Sequence, residues 1–347
     1  MAGRAERRQA ARVVKFGLVV PALLAAACAP LSEQQAGTSS GQARSGALFV
    51  AGKFGNTLAK VDLGSGEEVA RVESCANPHE LTTSPDDEYV ALACYGGTSV
   101  DIFRTRDLSK VKSIELGENA RPHGIVWHDN GSLYSTAEGR KSVFVIRKPL
   151  GETETFEYAT GKDGSHMLAV SPDAMHAWTT DLGSGTVTRV DLVARRSPLS
   201  ASVGDEPEGI ALAPDGETLW VSARGSDMAY ALDPQSLKKI KDIPVGDFPL
   251  RIQLRPQGDY AVTSDLADGS LSVIDTATGA KVRSIAVSSR EEAEAKTQVT
   301  ILFSPDGERI YVAETMANTI AEIDFRSGEV LRRLPGDGGG DGIAIIE

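Results

Sequence analysis

Aromatic side chains are scarce in this 347-residue chain, where Phe, Tyr and Trp together make up 5%. Basic charge is also in deficit, with 36 Lys and Arg against 48 Asp and Glu and a net charge of −12. Few rings leave few platforms for stacking bases, and an acidic surface repels a phosphate backbone, so nucleic acid is excluded as a partner. The same charge favours solubility and attraction to cationic ligands or basic surfaces. Long apolar runs are lacking too. The stretch Phe16 to Ala27 is too short and too rich in small residues to span a bilayer. Cysteine is limited to Cys28, Cys75 and Cys94. A nucleophile motif is missing in substance: Gly37-Thr38-Ser39-Ser40-Gly41 matches G-x-S-x-G, but a nucleophile elbow needs a strand before it and a helix after it, and this polar segment supplies neither.

The first 27 residues read as an export signal. Arg4, Arg7, Arg8, Arg12 and Lys15 form a basic start, and the apolar stretch ends Leu24-Ala25-Ala26-Ala27-Cys28. A small-residue cleavage site followed at once by cysteine resembles the bacterial lipobox, which implies that Cys28 is lipidated and becomes the new N-terminus. Ala29 is not the aspartate that marks inner-membrane retention in Gram-negative lipoproteins, so outer-membrane anchoring is expected in such an organism. Residues 28–45 hold one large apolar residue and read as a flexible tether. Residues 1–27 carry five basic groups and one acidic, so the remainder stands near −16. The expected location is the cell envelope, with a lipid anchor as the sole membrane contact.

Residues 46–347 repeat. A turn resembling Ser-Pro-Asp-Gly recurs at Ser84–Asp87, Trp127–Asn130, Ser171–Ala174, Ala213–Gly216, Arg255–Gly258 and Ser304–Gly307, spaced 43, 44, 42, 42 and 49 residues apart. A short apolar run precedes each turn, and three alternating segments punctuated by Gly, Asp and Asn follow it. Period-two alternation in short lengths reads as antiparallel strands, and four strands per unit make a propeller blade. Ala47 to Glu73 lacks a first strand, whereas Gly342 to Glu347 is a first strand with nothing after it. Each supplies what the other lacks. The expected fold is therefore all-β: a seven-bladed propeller closed by pairing the C-terminal strand with the N-terminal half-blade, which leaves no exposed sheet edge.

Leu219-Trp220-Val221-Ser222-Ala223, Ile310-Tyr311-Val312-Ala313-Glu314 and Ser272 to Gly279 resemble the YVTN-type β-propeller repeats of bacterial extracytoplasmic proteins. The resemblance covers residues 46–347. It implies the fold and says little about function, because such blades also occur in binding proteins, surface proteins and propeller lactonases.

In such propellers the connections into the inner strands open on one face of a central channel, the default ligand site. The residue just before each inner strand reads His79, His123, His166, Glu208, Leu250, Val299 and Asp341. The ends of the second strands, facing the same mouth, read Gly52, Cys94, Ala137, Asp181, Ala223, Asp265 and Glu314. Lys53, Tyr95, Glu138 and Arg224 follow in the loops, and Arg251 follows Leu250. The expected ligand-binding set is His79, His123, His166, Asp181, Glu208, Arg224, Arg251, Asp265, Glu314 and Asp341. His79, His123 and His166 together suit a divalent late first-row metal, the one cofactor considered. His128 and His176 fall at turns away from this face.

In an oxidising compartment Cys75 and Cys94 are most simply a disulfide that pins the loop carrying His79; a Cys75/His79/Cys94 metal or thiol site is the alternative. Ser289 to Lys296 favours a helical turn on the mouth face. Asp337 to Gly342 lacks the oxygen ligands of a calcium loop and reads as a glycine turn delivering the closing strand. The leading functional expectation is a monomeric, non-catalytic propeller that binds a small polar molecule or an envelope protein. The alternative is lactone hydrolysis, with His123, His166 or Glu208 activating water and Arg224 or Arg251 stabilising the oxyanion. A metal-handling protein is the third.

Overall fold

The computed structural model describes residues 45–347, so the signal segment, Cys28 and nearly all of the tether lie outside the described residues. Seven four-stranded antiparallel sheets form the blades. Six are consecutive in sequence. The other, blade 1, joins the strands Ala47–Gly52, Thr57–Asp62 and Glu68–Glu73 to the inner strand Gly340–Ile346, with Ala47 opposite Ile346 and Leu48 opposite Ile345. The ring closes as the sequence predicts.

Period two explains how the blades stack. A blade is packed on both faces, so its inner three strands are largely buried, as in Ala47–Gly52 and Tyr89–Cys94, while an outer strand such as Glu68–Glu73 alternates between half-buried and exposed. In Ala47–Gly52, Leu48 and Val50 join Tyr311 and Ile320 of blade 7, whereas Phe49 and Ala51 join Leu92 and Phe103 of blade 2. Seven such apolar clusters occur, one at each junction between neighbouring blades. The core is thus divided among the junctions. A fully buried side chain there, such as Phe49 or Leu92, contributes about 1.5–3 kcal/mol.

Hydroxyls staple the blades near the channel. Thr136 donates to the carbonyl of His166 at 2.6 Å, Thr180 to that of Glu208 at 2.6 Å, Ser222 to that of Leu250 at 3.0 Å and Ser264 to that of Val299 at 2.7 Å. Each donor is the next-to-last residue of a second strand, and each acceptor lies on the inner strand of the following blade.

The recurring turn has a conformational cause. Its fourth residue takes left-handed backbone, with φ of 59° at Asp87, 57° at Ala174, 75° at Gly216, 76° at Gly258 and 69° at Gly307. In blade 3 that residue is Gly131, at 79°, and its N–H bonds the carbonyl of His128. The turn is therefore His128–Gly131, one residue later than the sequence alignment places it. The helical turn forms at Arg290–Lys296, capped by Ser289, whose side chain accepts from the Glu292 N–H while Glu292 reaches back to the Ser289 N–H. Asp337 is anchored by Thr57 at 2.6 Å and Arg71 at 2.8 Å, so the glycine turn is tied to blade 1.

Candidate functional site

Each inner strand carries a bulge near its start. In blade 2, Pro78 pairs with Cys94 and Leu81 with Leu92, so His79 and Glu80 together oppose Ala93. The same shift recurs in the other six blades. A bulge breaks alternation and re-aims side chains. Here it places two consecutive residues of each inner strand at the channel. The seven residues expected just before the inner strands therefore lie inside them, each as the second residue of its strand, Asp341 in the strand beginning at Gly340 included.

Space is made by glycine at the third position of blades 3, 5 and 1. A Cβ on Gly209 would stand 2.6 Å from the Ile252 nitrogen, and one on Gly342 would stand 2.4 Å from the His79 carbonyl oxygen. Blades 2 and 6 carry charged residues there instead, Glu80 and Arg251.

The three histidines form a row. Ring centroids are 4.8 Å apart for His79 and His123 and 3.8 Å for His123 and His166, and His123 is 2% exposed. Tyr95 lies alongside the row, 4.3 Å from the His79 ring and 5.3 Å from the His123 ring, and Arg121 lies over the Tyr95 ring at 4.4 Å. At one end of the row His166 Nδ1 meets Glu138 Oε1 at 2.5 Å, while Tyr95 donates to Glu138 Oε2 at 2.8 Å. His166 Nε2 stands 3.5 Å from Glu208 Oε1.

A buried ion network lies beside the row. Arg251 donates through Nη1 to Glu208 Oε1 at 2.7 Å and through Nη2 to Glu80 Oε1 at 2.6 Å. Arg224 donates to Glu208 Oε2 at 2.7 Å and to Glu206 at 3.1 Å. Lys53 reaches Asp341 Oδ2 at 3.0 Å, with His79 Nε2 3.9 Å from the same oxygen.

Burial sets the protonation pattern. It pushes the His79 imidazole down to about 4 and holds His123 well below the ordinary range, where neighbouring His166 and His79 push it further. Burial also works against charge on His166, but the hydrogen bond to Glu138 and the nearby charge of Glu208 outweigh it and raise that imidazole. Burial would raise Glu208, yet neighbouring His166 and the charges of Arg251 and Arg224 bring it to about 2. Glu80 goes the other way, because burial outweighs Arg251.

Several expected site residues are not brought here. Asp181 accepts from Ser165, Thr179, Thr186 and Thr188, all within its own blade. Asp265 accepts from Thr263 and Ser272, and Glu314 from Thr319 and Arg333. The hydroxyls of the third strands lie within reach of these carboxylates and hold them inside the blade, so the expected acidic side of the mouth is corrected to a set of structural pins. Arg224 and Arg251 are at the channel, but their guanidinium groups are engaged by carboxylates, which removes the basis for the expected oxyanion role. Cys75 and Cys94 are joined as a disulfide.

The metal-competent grouping also differs from the expected one. His123, Glu138 and His166 offer ligand atoms all within 4.8 Å of one another. His79 stands outside that group, with Nδ1 at 3.2 Å from the Asn77 carbonyl. Glu80 and Glu138 are site residues that the expected set omits. Glu138, Tyr95 and Lys53 share one register position, directly after a second strand, and Glu80 shares its position with Arg251. Reading both positions together would have found them.

Four buried polar atoms converge here without a hydrogen-bond partner: His123 Nδ1, His166 Nε2, Arg251 Nε and Asp341 Oδ1. Buried polar groups are ordinarily satisfied, so such a concentration marks a place where a ligand, ion or water belongs.

No family model and no curated protein matches the chain. Solved structures do. A functionally unknown protein from Desulfotomaculum acetoxidans aligns with a TM-score of 0.72 at 13% identity, over 87% of this chain and 99% of that one. A candidate 6-phosphogluconolactonase from Bacteroides fragilis aligns at 0.65 and 16% identity, over 87% and 98%. Virginiamycin B lyase from Staphylococcus aureus aligns at 0.61 and 14%, over 78% and 83%. At such identities the likeness shows the fold alone: this chain is a seven-bladed β-propeller with structural neighbours that include enzymes and proteins of unknown role.

Proposed function

We propose that this propeller is a binding protein that captures a small polar molecule where His79, His123, His166, Arg251 and Asp341 meet at the end of its channel. The observation that carries the reading is the convergence of four unpartnered buried polar atoms at one place. The charge balance narrows the ligand. Lys53 offsets Asp341, Arg251 offsets Glu80 and Glu208, and Arg224 offsets Glu206 and Glu208. No cation among these is left over for a phosphate, so a neutral or zwitterionic molecule rich in hydrogen-bonding groups fits best. The export signal and Cys28 favour a role at the cell envelope.

Differential scanning of the full chain against neutral sugars, lactones, amino acids and their phosphorylated forms tests this. A neutral or zwitterionic ligand should raise the melting temperature of the wild type and fail to do so for Asp341→Asn. Selective stabilisation by phosphorylated ligands, or equal response in the variant, overturns it.

Hydrolysis is the second reading, and one contact favours it. The His166–Glu138 pair resembles a general base with its orienting carboxylate, and Nε2, 3.5 Å from Glu208, makes no hydrogen bond of its own. A lactone or ester panel decides: turnover lost in His166→Gln and lowered in Glu138→Gln supports it, while turnover unchanged by both, or absent altogether, removes it.

A further inference from the structure

We propose that His123, Glu138 and His166 form a site for one divalent first-row transition-metal ion of the zinc type. The proposal deepens the reading of the channel end as a binding site and rests on it.

Three observations carry it. The donor atoms of the three residues lie within 4.8 Å of one another before any ion is added. His123 Nδ1, on a residue 2% exposed, has no hydrogen-bond partner, and His166 Nδ1 already faces Glu138 Oε1 at 2.5 Å, where an ion would take the place of the shared proton. A bare imidazole nitrogen in a dry site is costly to keep and is the natural donor to a metal. Glu138, finally, is steadied from behind: Tyr95 donates to its second oxygen at 2.8 Å, and Arg121 caps the Tyr95 ring. An outer partner that orients a ligating carboxylate is the usual companion of a metal ligand.

The donor set selects the ion. Two imidazoles and one carboxylate suit zinc, cobalt, nickel or copper, whereas magnesium and calcium prefer oxygen alone. Donors about 2 Å from a tetrahedral ion stand roughly 3.3 Å from each other, so the widest separation must close on binding. Three protein ligands leave a coordination position open to the channel, where a polar atom of the captured molecule would bind. Cys75, Cys94 and Asp101 also lie close together, but the sulfurs are bonded to each other and Asp101 is held by Lys110 and Ser113. That group offers nothing to an ion.

The test titrates chelator-stripped full chain with zinc by calorimetry and counts bound ions by elemental analysis. The expected result is one ion per chain, with affinity at least a hundredfold weaker in His123→Gln and Glu138→Gln and about tenfold weaker in Tyr95→Phe. Cobalt in place of zinc should give the visible ligand-field bands of a nitrogen- and oxygen-ligated ion. His128→Gln, remote from the channel, should bind as the wild type does, and circular dichroism confirms that each variant is folded. No ion retained by the wild type, or equal binding by the two ligand variants, overturns the site. Running the small-molecule screen on stripped and zinc-loaded protein separates the two ideas. Hits on stripped protein that Asp341→Asn abolishes keep the binding reading even if zinc does not bind. Zinc bound without any molecular ligand keeps the metal site alone.

Discussion

Arg251 of blade 6 and Glu80 of blade 2 meet at 2.6 Å although 171 residues separate them, so one guanidinium ties opposite sides of the ring together. Its other branch holds Glu208 of blade 5 at 2.7 Å. Removing the cation would strand two buried carboxylates. Arg251→Met is therefore expected to destabilise the protein by about 3–5 kcal/mol. Adding Glu80→Gln and Glu208→Gln should restore much of that loss. Denaturant unfolding of the single and triple variants checks it, and equal stability of the two would show that the network carries no such charge penalty.

Asp265 gives the fold a pH dependence. Burial pushes its carboxyl up to about 6, against about 3.9 in an unfolded chain. The folded state holds this proton more tightly, so the contribution is fully present below about pH 4 and is lost as pH rises through about 6. Asp181 is shifted in the same direction by the same cause. Asp265→Asn should flatten the decline between those values and gain about 1–2 kcal/mol at pH 8, provided the amide keeps the Thr263 and Ser272 bonds. Denaturation midpoints across the range decide; a slope equal to that of the wild type would refute the assignment.

The disulfide closes a loop of 19 residues that contains His79. Cys75→Ser with Cys94→Ser should cost about 2–4 kcal/mol, mainly by freeing the unfolded chain. Ligand affinity at the channel should fall further than for a stability change at a remote site, because the segment leading to His79 loses its tether. Reduction of the wild type should reproduce the loss of stability, and unchanged melting in reductant would contradict it.

The hydroxyl staples can be tested singly. Thr180→Val removes the donor to the Glu208 carbonyl while keeping side-chain volume. An acceptor left dry predicts a loss of about 1–3 kcal/mol, and Ser264→Ala should behave similarly at Val299. Chemical denaturation measures both.

Localisation is tested at Cys28. Wild-type chain expressed in a Gram-negative host should incorporate labelled palmitate and sediment with membranes, and Cys28→Ala should do neither. Soluble wild type would dismiss the anchor.

The ring was legible because its signals are local and repeated. Alternation such as Leu48/Phe49/Val50/Ala51 states which neighbour each residue faces, and the complementary half-blades state the closure. The site was legible only in part. Position-by-position alignment finds His79, His123 and His166, with Arg251 one place further along blade 6, but strict alternation turns that further position away from the channel, so Glu80 at the same position in blade 2 is passed over. Asp181, Asp265 and Glu314 were misplaced because their hydroxyl partners sit on a third strand whose register a single sequence does not state. The blade 3 turn slipped by one because Gly131, with its left-handed backbone, lies just past a stretch that resembles the other turns weakly.

Closure by the strand Gly340–Ile346 also has a meaning in time. Every other blade can assemble from neighbouring residues, but blade 1 needs a partner from the far end of the described chain, with Ala47 waiting for Ile346. Contacts of such long sequence separation form late, after the entropy of ordering everything between has been spent. Blade 1 is thus a clasp fastened last and the expected place for the ring to part first. Native-state hydrogen exchange should find the amides of Ala47–Gly52 and Gly340–Ile346 opening as one unit, ahead of blades 3 to 6.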